Sequence, residues 1–226
     1  MATADTAIGV KAVTLTPFHY HSLAVPDGTA TLSTFLADRS MSYALQGAMG
    51  GLRSSVGLNT KKDYASDLRR MQWLCSAFET RTPRLLPPMG KRLNIDAEGG
   101  LQKKVMDATS TGNLKTWFYI QEVPQDVTYH GAIFGPDPFE MASEIEGRKV
   151  SEIIIRTGRH LGGIVSLTRD DTVEKVRLNA HTAHILGCDP NANEDLAVDV
   201  FALYDMQFTK PMPIKTAAGI VSGWRH

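Results

Sequence analysis

Short segments rich in β-branched and aromatic residues recur along this chain, separated by Pro and Gly, and they constrain its fold most. Such segments predict strands because branched and aromatic side chains fit a pleated, half-buried surface. The predicted strands are residues 10–18, 116–123, 127–134, 151–157, 163–169, 172–178 and 198–208. Asp170 and Asp171 predict a tight hairpin between 163–169 and 172–178.

Only two segments have the three- and four-residue apolar spacing of a helix. The first, 31–49, has one break in that spacing near Arg39 and ends at glycines. The second, 62–78, carries a continuous apolar stripe, and Thr60 with Asp63 forms a capping box before it. Because strands outnumber helices and do not alternate with them, the predicted fold class is α+β, an antiparallel sheet with helices on one face.

The length of 226 residues and the hydrophobic content of 42% predict a single domain, 1–226, with a substantial core. Within it, residues 82–112 combine Pro, Gly and basic residues without periodicity, which predicts an extended or hairpin-like insertion.

No apolar stretch reaches about 18 residues, and the N-terminus lacks the pattern of a signal peptide. Cys75 and Cys188 are far apart and favour a reducing compartment, so we expect a cytoplasmic protein with no membrane contact.

Charge is divided unevenly along the chain although its net value is zero. Residues 53–115 contain twelve Lys and Arg and six Asp and Glu, a net of +6, and the rest of the chain carries −6. A basic segment of this kind fits a polyanionic partner, and it also fits an ordinary solvated face.

Motifs for catalysis or metal binding are weak. His19 and His21 share one face of a predicted strand, and His181 and His184 have helical spacing, but neither pair has a third ligand nearby in the sequence. We therefore predict no catalytic residues, no metal and no cofactor. A structural or surface role for these histidines remains the alternative to acid–base or metal chemistry.

Two glycine-rich stretches, 46–51 (QGAMGG) and 158–163 (GRHLGG), have a backbone that can approach a phosphate closely. Arg159 and His160 in the second stretch add positive charge. Close packing or a plain turn explains such glycines equally well.

These residues together resemble a family. Asp38, Arg39 and Ser40, followed by ALQGAMG at 44–50, are similar to the opening of the Cas-five proteins, and so are GRHLGGIVSL at 158–167 and the long C-terminal strand. Cas-five proteins belong to the RAMP superfamily of class 1 CRISPR (Cascade-like) effectors. The string LADRSMSYAL at 36–45 is most similar to the type I-D version, and the resemblance covers about 10–51 and 151–210.

The resemblance implies a ferredoxin-like or RRM-like antiparallel sheet with a basic thumb-like insertion at about 53–115. It also implies a non-catalytic subunit that holds the 5′ handle of the crRNA and caps the complex. Its partners would be the backbone and large subunits and, indirectly, target DNA. Since cations and aromatic rings hold single-stranded RNA, the candidate RNA-binding residues are Arg39, Ser40, Tyr43, Arg53, Lys61, Lys62, Arg69, Arg70, Arg159 and His160.

Two other functions stay open. Some relatives process crRNA precursors as metal-independent endoribonucleases, for which His19, Tyr20 and His21 are the first candidates. The third reading is a structural protein-interaction module that binds no nucleic acid. Specific cleavage of a repeat RNA distinguishes the second reading, and purification free of RNA distinguishes the third.

Overall fold

A computed structural model describes residues 6–20, 23–25, 28–50, 63–92, 117–158 and 162–224. The helices are α1 (Asp38–Ala48), α2 (Tyr64–Arg70), α3 (Pro138–Glu146), α4 (Ala180–Ile185) and α5 (Ile214–Gly223), with 3₁₀ turns at Pro190–Ala192 and Glu194–Leu196. The strands are β1 (Ala7–Thr14), β2 (Leu23–Val25), β3 (Gly28–Ala30), β4 (Phe35–Leu36), β5 (Leu74–Cys75), β6 (Phe78–Glu79), β7 (Met89–Arg92), β8 (Trp117–Gln121), β9 (Thr128–Phe134), β10 (Glu152–Arg156), β11 (Ile164–Arg169), β12 (Lys175–Val176), β13 (Val198–Leu203), β14 (Met206–Thr209) and β15 (Met212–Pro213).

The main sheet has the strand order β10-β11-β1-β9-β6-β4, with β5 paired beside β9, and all of its pairings are antiparallel. The predicted mixed fold with a main antiparallel sheet is therefore confirmed. Within the sheet, β11-β1-β9-β6 is the order of a ferredoxin-like fold, with α1 after β1 and α3 after β9.

Helices cover both faces of the main sheet, so the prediction of helices on one face is wrong. Met41 and Leu45 of α1 and Phe139 of α3 pack in one core, with Tyr129 of β9. The opposite face of β9, including Phe134, packs in a second core with α4 and α5. Four consecutive residues of β9, 131–134, are buried for this reason, as expected for a strand covered on both sides.

α1 begins at Asp38, seven residues after the start of the predicted helix 31–49. Phe35 and Leu36 form β4 at the sheet edge, and Ala37 with extended backbone precedes the helix. The break in apolar spacing near Arg39 therefore marks a helix start. The helix ends as predicted, with Gly50 at a φ of 77° just beyond it.

The predicted helix 62–78 is wrong over its second half. α2 ends at Arg70, and the following segment forms β5 and β6. Residues 73–78 are all buried, because Trp73, Cys75 and Phe78 enter one core while Leu74 enters the other. A helix exposes one side to water, whereas a segment between two cores buries successive side chains. Asp63 does cap α2, accepting from the Ser66 amide, and Thr60 of the predicted capping box lies outside the described residues.

The segment 53–115 is not a simple insertion, because β5 and β6 belong to the main sheet. Its described part otherwise contains α2 and β7, and β7 pairs antiparallel with β8 in a second sheet, β2-β3-β8-β7. Of the predicted extended or hairpin-like insertion 82–112, the structure describes only 82–92, where β7 is extended. Residues 51–62 and 93–116, which carry much of the basic charge, lie outside the described residues.

Two strand predictions near the C-terminus are wrong. β11 does not form a hairpin with 172–178, because β11 pairs with β1 and β10 while the short β12 pairs with β15. The predicted strand 198–208 is a hairpin, β13–β14, that turns at Tyr204 and Asp205. This turn brings Asp205 against α1.

Helices α3, α4 and α5 are not in the prediction, although Pro138 at the first turn of α3 is a typical start signal.

Candidate nucleic-acid interface

A cavity of about 580 Å³ lies where the first turns of α1 and α2, the end of β10 and the turn of the β13–β14 hairpin meet. Its walls combine aromatic rings, aliphatic side chains and three charged groups. The lining residues are Tyr20, Leu32, Phe35, Ala37, Arg39, Ser40, Tyr43, Ala44, Tyr64, Arg156, Thr157, Gly158, Leu203, Asp205 and Met206. Three of the sequence-predicted RNA-binding residues, Arg39, Ser40 and Tyr43, therefore line one cavity.

Arg39 is held by the hairpin turn. Its Nη2 lies 2.5 Å from Oδ2 of Asp205 and 3.4 Å from the Asp205 carbonyl oxygen, and it donates to both. The guanidinium carbon is 5.6 Å from the centre of the Tyr64 ring. The side chain of Arg39 is 15% exposed and that of Asp205 is 50% exposed, so the pair sits at the rim of the cavity.

Asp38 points away from the cavity, into the protein. It is 3% exposed, and its carboxylate accepts from Nδ2 of Asn179 at 2.8 Å and from the Thr182 hydroxyl at 2.6 Å. Burial raises the pKa of Asp38, and these two hydrogen bonds only partly offset the effect. The ion-pair partner of Arg39 is therefore Asp205 of the hairpin turn, and the neighbouring Asp38 is instead bound inside the protein.

The two tyrosines of the cavity meet edge to face. The ring centres of Tyr43 and Tyr64 are 6.2 Å apart, and the Tyr43 hydroxyl donates to Asp67 at 3.0 Å. Burial raises the pKa of Tyr43, and the hydrogen bond to Asp67 and the negative charge of Asp67 raise it further. The Tyr43 hydroxyl therefore stays protonated. Tyr64 is 40% exposed, so part of its ring is open to a ligand.

Arg156 brings a second cation to the cavity from the last position of β10. It is exposed, and within the described part of the chain no carboxylate forms an ion pair with it. The next residue, Thr157, shares a hydrogen bond of 2.5 Å with the Tyr20 hydroxyl, in which either hydroxyl can be the donor. Burial raises the pKa of Tyr20, so this phenol also stays protonated.

The glycines after Arg156 are explained by packing. Gly158 has a φ of 81° and lies against Phe18 and the His19 carbonyl, and Gly163 has a φ of 82° with Thr157 directly beside it. A side chain at Gly163 would overlap the Thr157 carbonyl oxygen. The glycines at 158, 162 and 163 thus allow the backbone to pack closely against residues 17–19. This favours close packing over phosphate binding as the explanation of these glycines.

The other predicted residues lie elsewhere. Arg69 donates to the Leu186 carbonyl at 3.0 Å and caps the C-terminal end of α4, while Arg70 is exposed on α2; neither lines the cavity. The remaining predicted residues are outside the described residues, and these are Arg53, Lys61, Lys62, Arg159 and His160.

Of the histidines suspected of catalysis, the structure describes His19, His181 and His184, while His21 lies outside the described residues. His19 is 3% exposed, and its Nδ1 lies 3.1 Å from Oε1 of Glu122. His181 and His184 are on α4, where partial burial, followed by the Arg39 charge, lowers the pKa of His181. Among the residues that the structure describes, no group of three His, Cys, Asp or Glu is placed to hold a metal ion.

Two cavity residues, Arg156 and Asp205, are not among the residues that the sequence predicts for the site. Arg156 lies two residues before the glycine-rich stretch 158–163, and its position at a strand end is the available signal. Asp205 lies inside the predicted strand 198–208, where an aspartate, a residue common in turns, is the available signal for a hairpin.

The chain is similar to several solved CRISPR proteins. One is a chain of the type III-B Cmr-beta complex bound to cognate target RNA and AMPPnP, with 14% identity, a TM-score of 0.39, and coverage of 72% of this chain and 63% of that one. Another is a chain of a type IV-B CRISPR complex, with 11% identity, a TM-score of 0.38, and coverage of 74% and 92%. A third is Pyrococcus furiosus Cmr4 (Cas7), with 13% identity, a TM-score of 0.33, and coverage of 74% and 100%.

The chain thus spans less than two thirds of the length of the Cmr-beta chain. No protein-family model matches the sequence, and no curated protein matches it either. In the part of the chain that the structure describes, no helix has the length and apolar content needed to span a membrane.

Proposed function

We propose that this chain is a non-catalytic RNA-binding subunit of a CRISPR effector complex. In this proposal it is a Cas-five-type protein, most similar to the type I-D version. It holds the 5′ handle of the crRNA, caps the complex next to backbone and large subunits in the cytoplasm, and meets target DNA only through the guide.

The observation that supports the proposal is the composition of the cavity at the start of α1. Residues predicted from the resemblance, Arg39, Ser40 and Tyr43, lie there together with Tyr64 and Arg156. Single-stranded RNA is held by cations that neutralise phosphates and by rings on which bases stack. Arg156 is exposed and supplies the cation, and the open part of Tyr64 supplies the ring.

The roles within the cavity follow from its contacts. Arg39 is already bound to Asp205, so its charge is partly neutralised. Arg156 lacks such a partner among the described residues and is the better phosphate ligand. Ser40 adds a hydroxyl in the first turn of α1, near the backbone N–H groups that a helix leaves free.

The experiment that tests this function is RNA binding by the full-length chain with the substitution Arg156→Gln. We expect weaker binding of single-stranded handle RNA and a salt slope reduced by about one unit, because one phosphate contact is lost. Arg148→Gln is the matched control, since it removes the same charge from a side chain that is 76% exposed and lies outside the cavity. Equal affinity and slope in the two variants would contradict the proposal.

A further inference from the structure

We infer that the Arg39–Asp205 pair at the rim of the cavity recognises the base edge of a single guanine nucleotide. This inference rests on the proposed function, because it requires that RNA enters the cavity. It adds a specificity that neither the resemblance nor the similar structures assign.

The pair leaves hydrogen-bonding groups unused on both partners. Nη2 of Arg39 makes both contacts with Asp205, through Oδ2 and the carbonyl oxygen. Among the described residues, Nη1 and Nε of Arg39 and Oδ1 of Asp205 have no protein partner. Since the Asp205 side chain is half exposed, the pair presents a carboxylate acceptor next to guanidinium donors.

A carboxylate at the entrance of an RNA site favours the hydrogen-bond donors of a nucleotide over its phosphate. Phosphates are repelled by Asp205, and an ionised carboxylate accepts hydrogen bonds but cannot donate them. A splayed base presents its Watson–Crick edge, and that edge can carry donors. Asp205 therefore favours a base with donors over a base with acceptors.

Guanine is the base that fits both partners of the pair. Its Watson–Crick edge places two donors, N1–H and the N2 amino group, next to the O6 acceptor. The Asp205 carboxylate can accept from both donors while the Arg39 guanidinium donates to O6. Uracil offers one donor between two acceptors, and adenine and cytosine each offer one amino group beside an unprotonated ring nitrogen, so each leaves a group of the pair unsatisfied.

The pair is held in place before RNA arrives. Nδ2 of Asn179 donates to the Asp205 carbonyl at 3.1 Å and also to Asp38, while the Asn179 side-chain oxygen accepts from the Gln207 amide. The turn that carries Asp205 is thereby fixed to α1 and α4. A pair that is fixed beforehand binds more tightly than a mobile one, because little conformational entropy is lost on binding. The neighbouring Tyr64 ring, 40% exposed, offers a stacking surface to the same base.

The test compares single-stranded oligouridines that differ only at one central nucleotide: guanosine, inosine, adenosine, cytidine or uridine. Inosine lacks the N2 amino group and retains N1–H and O6, so it isolates one contact of Asp205. With the full-length chain we expect guanosine to bind about tenfold more tightly than inosine, the factor that corresponds to one charge-assisted hydrogen bond. This measurement needs no variant and does not depend on how a variant folds.

A variant then assigns the discrimination to the pair. We expect Asp205→Asn to reduce the guanosine-to-inosine ratio to near one. Asp199→Asn, on the same hairpin but outside the cavity, is expected to keep the ratio of the unchanged protein. Equal affinity for all five oligonucleotides, or an unchanged ratio in Asp205→Asn, would overturn the base recognition and leave the proposed function standing. No binding of any of the five would overturn both.

Discussion

Arg39 and Asp205, 166 residues apart in the sequence, form an ion pair of 2.5 Å that connects α1 to the β13–β14 hairpin. One end of this contact is a residue expected to bind RNA. The other end is the turn of a hairpin whose Met206 and Phe208 pack with Phe35 in a further small core. The pair therefore contributes both to the shape of the cavity and to the attachment of the hairpin.

Arg39→Ala is expected to lower both stability and RNA affinity. Because Asp205 is half exposed and screened by solvent, we expect the free energy of unfolding to fall by about 1 kcal/mol. Urea denaturation measures it, and a double-mutant cycle with Asp205→Asn isolates the coupling. Arg148→Ala, on an exposed side chain, serves as the control. An unfolding free energy and handle-RNA affinity both within error of the unchanged protein would remove Arg39 from the site.

Asp38 gives a stability that depends on pH. Burial raises its pKa above the ordinary value of 3.8, so the folded protein binds this proton more tightly than the unfolded chain does. The contribution of Asp38 therefore favours folding at acidic pH and declines as pH rises above 3.8 through the folded-state pKa.

Asp38→Asn lacks this titration. We compare the unfolding free energy of the unchanged protein with that of Asp38→Asn. The difference, unchanged protein minus variant, is expected to fall as pH rises from 3.8 through the folded-state pKa of Asp38. Urea denaturation of both proteins at a series of pH values provides the measurement. A difference that stays constant with pH, or that grows as pH rises, would contradict a raised pKa.

Gly163→Ala and Gly50→Ala form a matched pair of substitutions. Both glycines have positive φ, 82° and 77°, so both variants carry the backbone strain of about 1–2 kcal/mol that a side chain meets there. Only at Gly163 does the added methyl group overlap a neighbour, the Thr157 carbonyl, whereas nothing lies within 4 Å at Gly50. We expect Gly163→Ala to lose clearly more stability and to weaken RNA binding, because Thr157 follows Arg156. Similar thermal unfolding temperatures in the two variants would argue against the close approach.

The isolated protein is expected not to cut its repeat RNA. His19 is buried and paired with Glu122, and burial raises the pKa of Tyr20, which therefore stays protonated. Gel analysis of labelled repeat RNA incubated without metal checks this. Specific cleavage that disappears in His19→Ala or His21→Ala would support the endoribonuclease alternative instead.

Local patterns predicted the parts of the fold that depend on local residues. Strands β8, β9, β10 and β11 lie within the predicted segments, because each combines branched or aromatic residues with a nearby Pro or Gly. The segment 62–78 could not be predicted correctly, since its apolar spacing satisfies a helix while its burial alternates between two cores. Periodicity does not distinguish these cases.

The cavity was predictable only on the side formed by α1. Arg39, Ser40 and Tyr43 are close in sequence, and the resemblance named them together. Arg156 and Asp205 join them through β10 and through the turn of a hairpin, and no local pattern connects residues that far apart. The resemblance gave no role to Asp205, and the fold alone brings its carboxylate to Arg39.

The position of β1 in the main sheet has a consequence for synthesis of the protein. β1 precedes the other strands of the main sheet in the chain, yet both of its neighbours, β9 and β11, lie beyond residue 127. The whole segment between β1 and β9 must leave the ribosome before β1 can pair on either side, and such non-local pairing is slow. During that interval both edges of an apolar strand are open to other nascent chains. Yield in the cell should therefore depend on translation speed and chaperone supply, and a fragment that stops before β9 cannot form the main sheet.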